Sequence, residues 1–231
     1  MKKSETRVLD MLRSVRQHGQ QRAAAFPANS RSHELYAVVG ASVSNMEKYS
    51  AEQAVHARAY GEKSALGNIA DEALHNLMRN MSRTARSMSR SFPGAAEKFR
   101  LPSNKDGETW LAFARGFSTE AVPLEGEFVR RGMAPDFVGD LKARILAVEQ
   151  AADGQAGAWG LRVKATANLT EAARQGFEAV RELDAIVRNV YRDNEAELAA
   201  WESASHIERA PRRAVDEEEE APPAPPAPAQ A

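Results

Sequence analysis

The sequence predicts an all-α protein: an elongated antiparallel helical bundle of four to six long helices with a disordered C-terminal tail. No proline occurs between Pro27 and Pro93, or between Pro135 and Pro211. Both windows are rich in Ala, Arg, Glu and Leu, and their apolar residues recur every three or four positions, as on one side of a helix. An average helix has about 11 residues, so these windows predict unusually long ones.

Two helices are expected before Pro93. Ser4 is a candidate N-cap for a first helix that runs to about Ala25, where Pro27 ends it. A second helix begins near Ser32 and extends over about 60 residues, or about 90 Å at 1.5 Å per residue. The residues expected to face the bundle from this helix are Val39, Val43, Met46, Ser50, Ala54, Ala57, Gly61, Ala65, Ile69, Ala73, Leu77, Met81, Ala85, Met88 and Phe92.

The remaining helices follow a connector that contains Pro102. A third helix is expected from about Asn104, with a kink at Pro123, and Pro135 opens the next helix in its first turn. A short last helix, capped by Asp193 or Asn194, is expected to dock through Trp201. The third helix is expected to bury Trp110, Phe113, Phe117, Leu124 and Phe128, and the last long helix Val163, Thr166, Thr170, Ala173, Phe177, Val180, Asp184, Val187 and Tyr191.

Glycines leave the continuity of the two longest helices open. Gly61 and Gly67 favour a bend in the second helix, because each glycine costs about 1 kcal/mol relative to alanine. Gly154, Gly157 and Gly160 fall within seven residues and are expected to interrupt or bend the later helix. Continuous helices would make the molecule a rod, and loops at these positions would make it compact.

Composition divides the chain into a helical bundle over residues 1–213 and a tail over residues 214–231. The tail joins the acidic run Asp216–Glu220 to an Ala-Pro repeat, which cannot bury apolar surface. We therefore expect it to be disordered or to adopt polyproline II. The formal net charge of −1 hides a basic excess in the first hundred residues that this tail offsets.

Other features bound the class of protein. The chain contains no cysteine, which excludes disulfides, thiolate metal sites and cysteine nucleophiles. Its basic first residues lead into an amphipathic helix pattern, so we expect no signal peptide. No apolar run approaches the length of a membrane span. We expect a bacterial-type cytoplasmic protein without a cofactor.

Several segments resemble a family of small all-helical bacterial proteins to which no activity is assigned. The resemblance covers about residues 23–213 and is most specific in its last segment. It implies a fold and transfers no catalytic residue. The segments are Phe99-Arg100-Leu101-Pro102, Leu183-Asp184-Ala185-Ile186-Val187-Arg188-Asn189, Tyr191-Arg192-Asp193 and Leu198-Ala199-Ala200-Trp201-Glu202-Ser203-Ala204-Ser205-His206-Ile207-Glu208-Arg209.

Three patterns could carry chemistry. Glu72 and His75 form a Glu-x-x-His pair, but di-metal bundles need two such pairs and two further glutamates, so we read it as a surface pair. A polar stripe of Tyr49, Gln53, His56 and Tyr60 could line a ligand pocket or form a partly buried polar flank. Arg79, Arg83, Arg86 and Arg90 form a basic face that could bind phosphates, remain solvated, or pair with acidic residues of the chain.

None of these patterns predicts an enzyme. The block from Trp201 to Arg209 contains serine, histidine and carboxylates, but neighbours on one short helix cannot act as a catalytic triad. We expect a non-catalytic structural or protein-interaction bundle with self-association or an unknown protein partner. The alternatives are a small-ligand or metal-binding bundle, or a polyanion-binding protein. No aromatic residue is interleaved with the arginines, so we do not expect a nucleic-acid partner.

Overall fold

The computed structural model describes residues 2–103 and 106–207 and is all-helical over them, which confirms the predicted fold class. Short 3₁₀ turns at Ala23–Ala25 and Val122–Leu124 join some of the helices. The predicted tail over residues 214–231 lies outside the described residues. The helices are α1 (Lys3–Gln21), α2 (Arg31–Met88), α3 (Ala95–Lys98), α4 (Gly107–Ala121), α5 (Glu125–Arg130), α6 (Phe137–Val190) and α7 (Glu195–Ser205).

Two very long antiparallel helices form the axis of the molecule. α2 has 58 residues and α6 has 54, which correspond to about 87 and 81 Å. Contacts between them run in opposite directions along the chain: Arg31 pairs with Glu182, and Gln53 donates to Thr166. The bundle is therefore elongated and antiparallel, as predicted.

Neither long helix is interrupted at its glycines. α2 continues through Gly61 and Gly67, and α6 continues through Gly154–Gly160, so the expected interruption of α6 does not occur. A β-carbon at Gly154 would lie 3.3 Å from Cδ of Lys63. The Lys63 side chain of α2 thus passes over Gly154 of α6, and the glycine does not break the helix despite its low intrinsic helix propensity.

Apolar side chains collect in two separate clusters at opposite ends of the axis. The first head consists of α1, the beginning of α2, the end of α6, and α7, and it buries residues such as Leu12, Val43 and Leu183. The second head consists of the end of α2, α3, α4, α5 and the beginning of α6. Its core contains Phe99 and Phe128, whose ring centroids lie 5.1 Å apart.

Trp201 docks α7 onto the first head, as predicted. The side chain is fully buried, and its Nε1 donates a hydrogen bond of 2.8 Å to Oδ1 of Asp184 on α6. Asn194 caps α7 by accepting from the backbone N–H of Glu197 at 3.2 Å. The short terminal helix is thus held at its start and through one aromatic anchor.

Helix boundaries differ in part from the prediction. α1 begins one residue before Ser4, because the Glu5 carboxylate accepts from the Lys2 backbone N–H at 2.6 Å and closes the first turn. Pro135 precedes α6, which begins at Phe137. The kink at Pro123 is confirmed as the 3₁₀ turn between α4 and α5. The predicted start of the third helix at Asn104 lies outside the described residues.

Parts of the predicted apolar sides are wrong. In the middle of α2, Ala54, Ala65 and Ile69 are exposed. From Ala57 to Ala85 the predicted stripe advances four residues at every step, which exceeds the 3.6 residues of a turn. The stripe therefore winds around the helix and reaches its outer side, whereas the helix contact itself stays on one side.

The same error affects α6 and α4. Val163 and Phe177 were expected to be buried but are exposed, and the contact is made instead by Leu169, Ala172 and Gly176. A β-carbon at Gly176 would lie 2.6 Å from Leu12 Cδ1 and 2.9 Å from Ser42 Cβ, so α1 and α2 approach this point closely. On α4, Phe113 is 40% exposed because Ala114 and Phe117 occupy the buried side.

Candidate interaction surface: the neck between two heads

Within residues 2–103 and 106–207, the two heads are joined by α2 and α6 alone. We call residues 47–73 of α2 and 149–164 of α6 the neck. Within these ranges, Ala158 is the single buried residue. Over the described residues, the neck therefore has no core of large side chains. Shorter helices reach its ends, where Arg13 of α1 pairs with Glu47 and Arg115 of α4 pairs with Glu149.

The inner surface of the neck is polar. Tyr49, Gln53, His56 and Tyr60, the predicted ligand stripe, are all half-buried on one line of α2. Gln53 Nε2 donates to Oγ1 of Thr166 on α6 at 2.8 Å, and the Tyr60 ring lies 5.7 Å from the Trp159 ring. The stripe thus follows the contact between the two long helices, which corresponds to the partly buried polar flank among the sequence alternatives.

A shallow groove lies beside the stripe. It has a volume of about 360 Å³ and is lined by Tyr60, Ala152, Gln155, Ala156 and Trp159. Along α6 it is followed by a groove of about 590 Å³ that contains Val163 and Thr170. Of the four stripe residues, Tyr60 is the one that meets the first groove, so the geometry does not bring the stripe together around one enclosed cavity.

The neck also exposes an unusual number of apolar residues to solvent. Six large apolar side chains are exposed there, and each has about half or more of its surface in contact with solvent; Ile69 has 65%. A segment that exposes this many large apolar side chains is a candidate interaction site on a protein. The six residues are Val55, Leu66, Ile69, Trp159, Leu161 and Val163.

The predicted basic face lies on the second head. Arg79, Arg83, Arg86 and Arg90 are all exposed near the end of α2. Arg79 donates to Asn76 Oδ1 at 3.1 Å, but none of the four forms an ion pair with a carboxylate of the described residues. One sequence alternative was that these arginines pair with acidic residues of the chain. Over the described residues, no such pair is seen.

Glu72 and His75 do not build a metal site with other side chains. The His75 ring packs on Trp110, with ring centroids 4.0 Å apart, whereas Glu72 is exposed. Among residues 2–103 and 106–207, no group of three or more histidine or acidic side chains is arranged to hold a metal ion. The pair lies where α2 enters the second head, and its histidine contributes to packing there.

A buried histidine in the first head had no assigned role in the sequence. His18 is almost fully buried, its Nδ1 lies 3.0 Å from the Tyr36 hydroxyl, and its ring meets Trp201 edge-on. Its Nε2 has no hydrogen-bond partner among the described residues. Burial, together with the nearby Arg22 guanidinium, lowers the pKa of His18 to about 4. The periodicity of α1 places His18 on the apolar side, and this was the signal that could have found it.

The serine and histidine residues near the end of α7 line an open cavity. Ser203 and His206 border a space of about 430 Å³ between α7 and α1, together with Asp10 and Glu202. Glu202 is paired with Arg188 at 3.1 Å, and the Ser205 hydroxyl donates to the Trp201 carbonyl. The first contact ties α7 to α6 and the second stays within α7, so neither aligns a nucleophile with a base.

Comparison with known proteins gives no match: no family model, no curated protein and no solved structure is similar to this chain. None of the helices in the described part of the chain combines the length and the apolar composition needed to cross a membrane.

Proposed function

We propose that this protein is a non-catalytic structural or protein-interaction bundle. Its two heads are independently packed ends, and the neck between them offers the surface for association. The single observation that supports this is the neck itself, where two helices without a core expose six large apolar side chains. Burying such side chains against a partner contributes about 25 cal/mol per Å² of apolar surface.

The proposal includes self-association or an as yet unknown protein partner, and a cytoplasmic location. Membership of the family of small all-helical bacterial proteins stays a prediction that rests on the segments quoted above.

Site-specific photo-crosslinking in cells tests the proposal. A benzophenone amino acid is placed at Leu66 and, separately, at Val55, both of which are exposed on α2 in the neck. Arg181, an exposed residue of α6 in the first head, is the matched control position. We expect protein adducts from the two neck positions and not from the control. Equal labelling at all three positions, or none, would contradict an interaction surface on the neck.

The ligand-binding alternative is tested separately by native mass spectrometry of gently purified protein. A defined additional mass that disappears when His56 is replaced by alanine would replace our proposal with a ligand-binding function. A polyanion-binding function through the basic face would instead appear as nucleic acid that is lost steeply as salt is added. We expect the protein to carry neither.

A further inference from the structure

The outer side of α2 carries a regular stripe along the neck. Its members follow one another at intervals of three or four residues, so they share one side of the helix. All of them are exposed, and the half-buried Gln53 and Tyr60 lie on the opposite side, against α6. We call this set the outer stripe: Lys48, Ala51, Val55, Arg58, Glu62, Ala65, Ile69 and Glu72.

The outer stripe is complementary to itself in the antiparallel direction. If a second α2 runs antiparallel to the first and the two cross at residue 60, Arg58 of each copy lies opposite Glu62 of the other. Lys48 likewise lies opposite Glu72. Both cations stand before the crossing point and both carboxylates after it, so every charge meets one of opposite sign. A parallel arrangement would instead place like charges side by side.

The apolar members obey the same symmetry. Val55 lies opposite Ala65, and Ala51 lies opposite Ile69, so each pair joins a large side chain with a small one. Large residues facing small ones allow two helices to approach closely and interdigitate. Val55 and Ile69, more than half exposed in the single chain, would both become covered.

The crossing point coincides with the middle of the neck. Residue 60 is equally distant from Met46, the last buried residue of α2 in the first head, and from Leu74, the first in the second head. A two-fold axis at this position places the first head of one copy beside the second head of the other. The four charged residues form no ion pair among the described residues, so they are available to a partner; Lys48 lies 5.7 Å from the Tyr49 ring.

The size of this contact predicts a weak dimer. The outer stripe extends over 24 residue steps, about 36 Å, and a helix is about 10 Å wide, so about 400 Å² of each copy is covered. The total of about 800 Å² is smaller than the about 1,200 Å² at which stable interfaces begin and falls in the range of weak, transient ones. We therefore expect a dissociation constant in the micromolar range that rises with salt, because the ion pairs are at the surface.

We propose that a second copy of this chain binds the neck through the outer stripe of α2, antiparallel and with the two-fold axis at residue 60. This proposal rests on the proposed interaction function and names its partner. Among the possible occupants, a second copy is favoured because the stripe supplies both halves of the charge pattern itself.

Charge reversal provides the test, measured by sedimentation equilibrium on the full chain at low salt. The two-fold axis generates two Arg58–Glu62 pairs. Arg58→Glu places two carboxylates opposite each other in both pairs, and Glu62→Arg places two cations opposite each other in both. We expect each single variant to dimerise at least tenfold more weakly than the original protein. The double variant R58E/E62R should restore the dimer, because opposite charges face each other again.

A mixture gives the sharpest result. R58E and E62R, each weakened alone, should form a heterodimer when combined in equal amounts, because the carboxylates of one meet the cations of the other. Arg181→Glu, in the first head, is the control and should leave dimerisation unchanged. Circular dichroism of each variant checks that the helices remain intact.

Two outcomes would overturn this inference. One is an original protein that stays monomeric at about 1 mM; the other is a dimer that both single reversals leave intact, which would place the interface elsewhere. A different result distinguishes this inference from the proposed function. Photo-crosslinking from Leu66 to a different protein, in a chain that is monomeric, would refute the second copy as partner and leave an interaction function in place.

Discussion

The heads and the neck share the same two helices, yet the large apolar side chains of these helices are mostly buried in the heads and exposed in the neck. In the heads, α2 and α6 bury Val43, Leu183 and Leu141 beneath shorter helices. In the neck, the same helices hold polar residues between them and leave Ile69 and Trp159 exposed. The difference shows that burial depends on whether a third helix is present, since two helices alone cannot enclose a core.

The largest expected effect is a difference in the free energy of unfolding between two tryptophan variants, one in the first head and one in the neck. Trp201→Ala should destabilise the protein by about 3–5 kcal/mol, because it removes a fully buried aromatic and leaves a cavity under α7. Trp159→Ala, at a half-exposed position, should cost less than about 1 kcal/mol. Urea denaturation measures both.

Hydrogen exchange then shows whether the heads are coupled through the neck. Trp201→Ala should lower the protection of residues 31–46 and leave residues 74–88 nearly unchanged, because no core connects the two clusters. Equal loss of protection at both ends would show that the neck transmits stability, contrary to its lack of buried side chains.

A second effect should be specific to the first head and depend on pH. His18 has a pKa of about 4 in the folded protein, against about 6.5 when unfolded. Between these values the unfolded chain takes up a proton and the folded chain does not, so stability is full above pH 6.5 and falls as the pH decreases toward 4. The loss amounts to at most about 3 kcal/mol at 1.36 kcal/mol per pH unit.

His18→Gln isolates this contribution. The variant should be less stable at pH 7, since Tyr36 and Trp201 each lose the contact with the His18 ring. Its stability should nevertheless change less between pH 6.5 and 4.5 than that of the original protein. Urea denaturation across this range measures the difference. Parallel curves for the two proteins would mean that His18 titrates normally.

A smaller difference in stability is expected between two glycine-to-alanine variants of α6, at positions that look alike in the sequence. Gly176→Ala should cost about 1–3 kcal/mol, because its β-carbon meets Leu12 and Ser42 in the first head. Gly157→Ala, in the neck with no atom within 4 Å of the added carbon, should raise stability by up to about 1 kcal/mol through helix propensity. Thermal unfolding measures both, and equal effects would contradict the close packing at Gly176.

The smallest effect tests the neck against a buried leucine of the same helix. Leu161→Ala, about half exposed, should change the free energy of unfolding by no more than about 0.5 kcal/mol. Leu169→Ala, fully buried in the first head, should cost about 2–5 kcal/mol. A large loss at Leu161 would indicate that the neck is covered in solution on that side as well.

How far the sequence predicts the fold can be judged from individual residues. The absence of proline correctly indicates two very long helices, and Pro123 and Trp201 act where their chemistry suggests. Ala54, Ala65 and Ile69 were assigned to the wrong side of α2, because a stripe that advances mostly by four residues per step drifts around a helix of 3.6 residues per turn. The ligand stripe of Tyr49, Gln53, His56 and Tyr60 was correctly grouped, but its orientation toward α6 depends on that second helix.

What the sequence by itself determined is local: that two very long helices form, approximately where they end, and how residues are spaced along each of them, including the charges of the outer stripe on either side of residue 60. These follow from backbone geometry and from spacing along a single helix. The tertiary structure alone decided that apolar residues form two separate cores with an open neck between them. That outcome depends on where α1, α4 and α7 fold back onto the long helices, and such contacts join residues far apart in the chain, which no local pattern records.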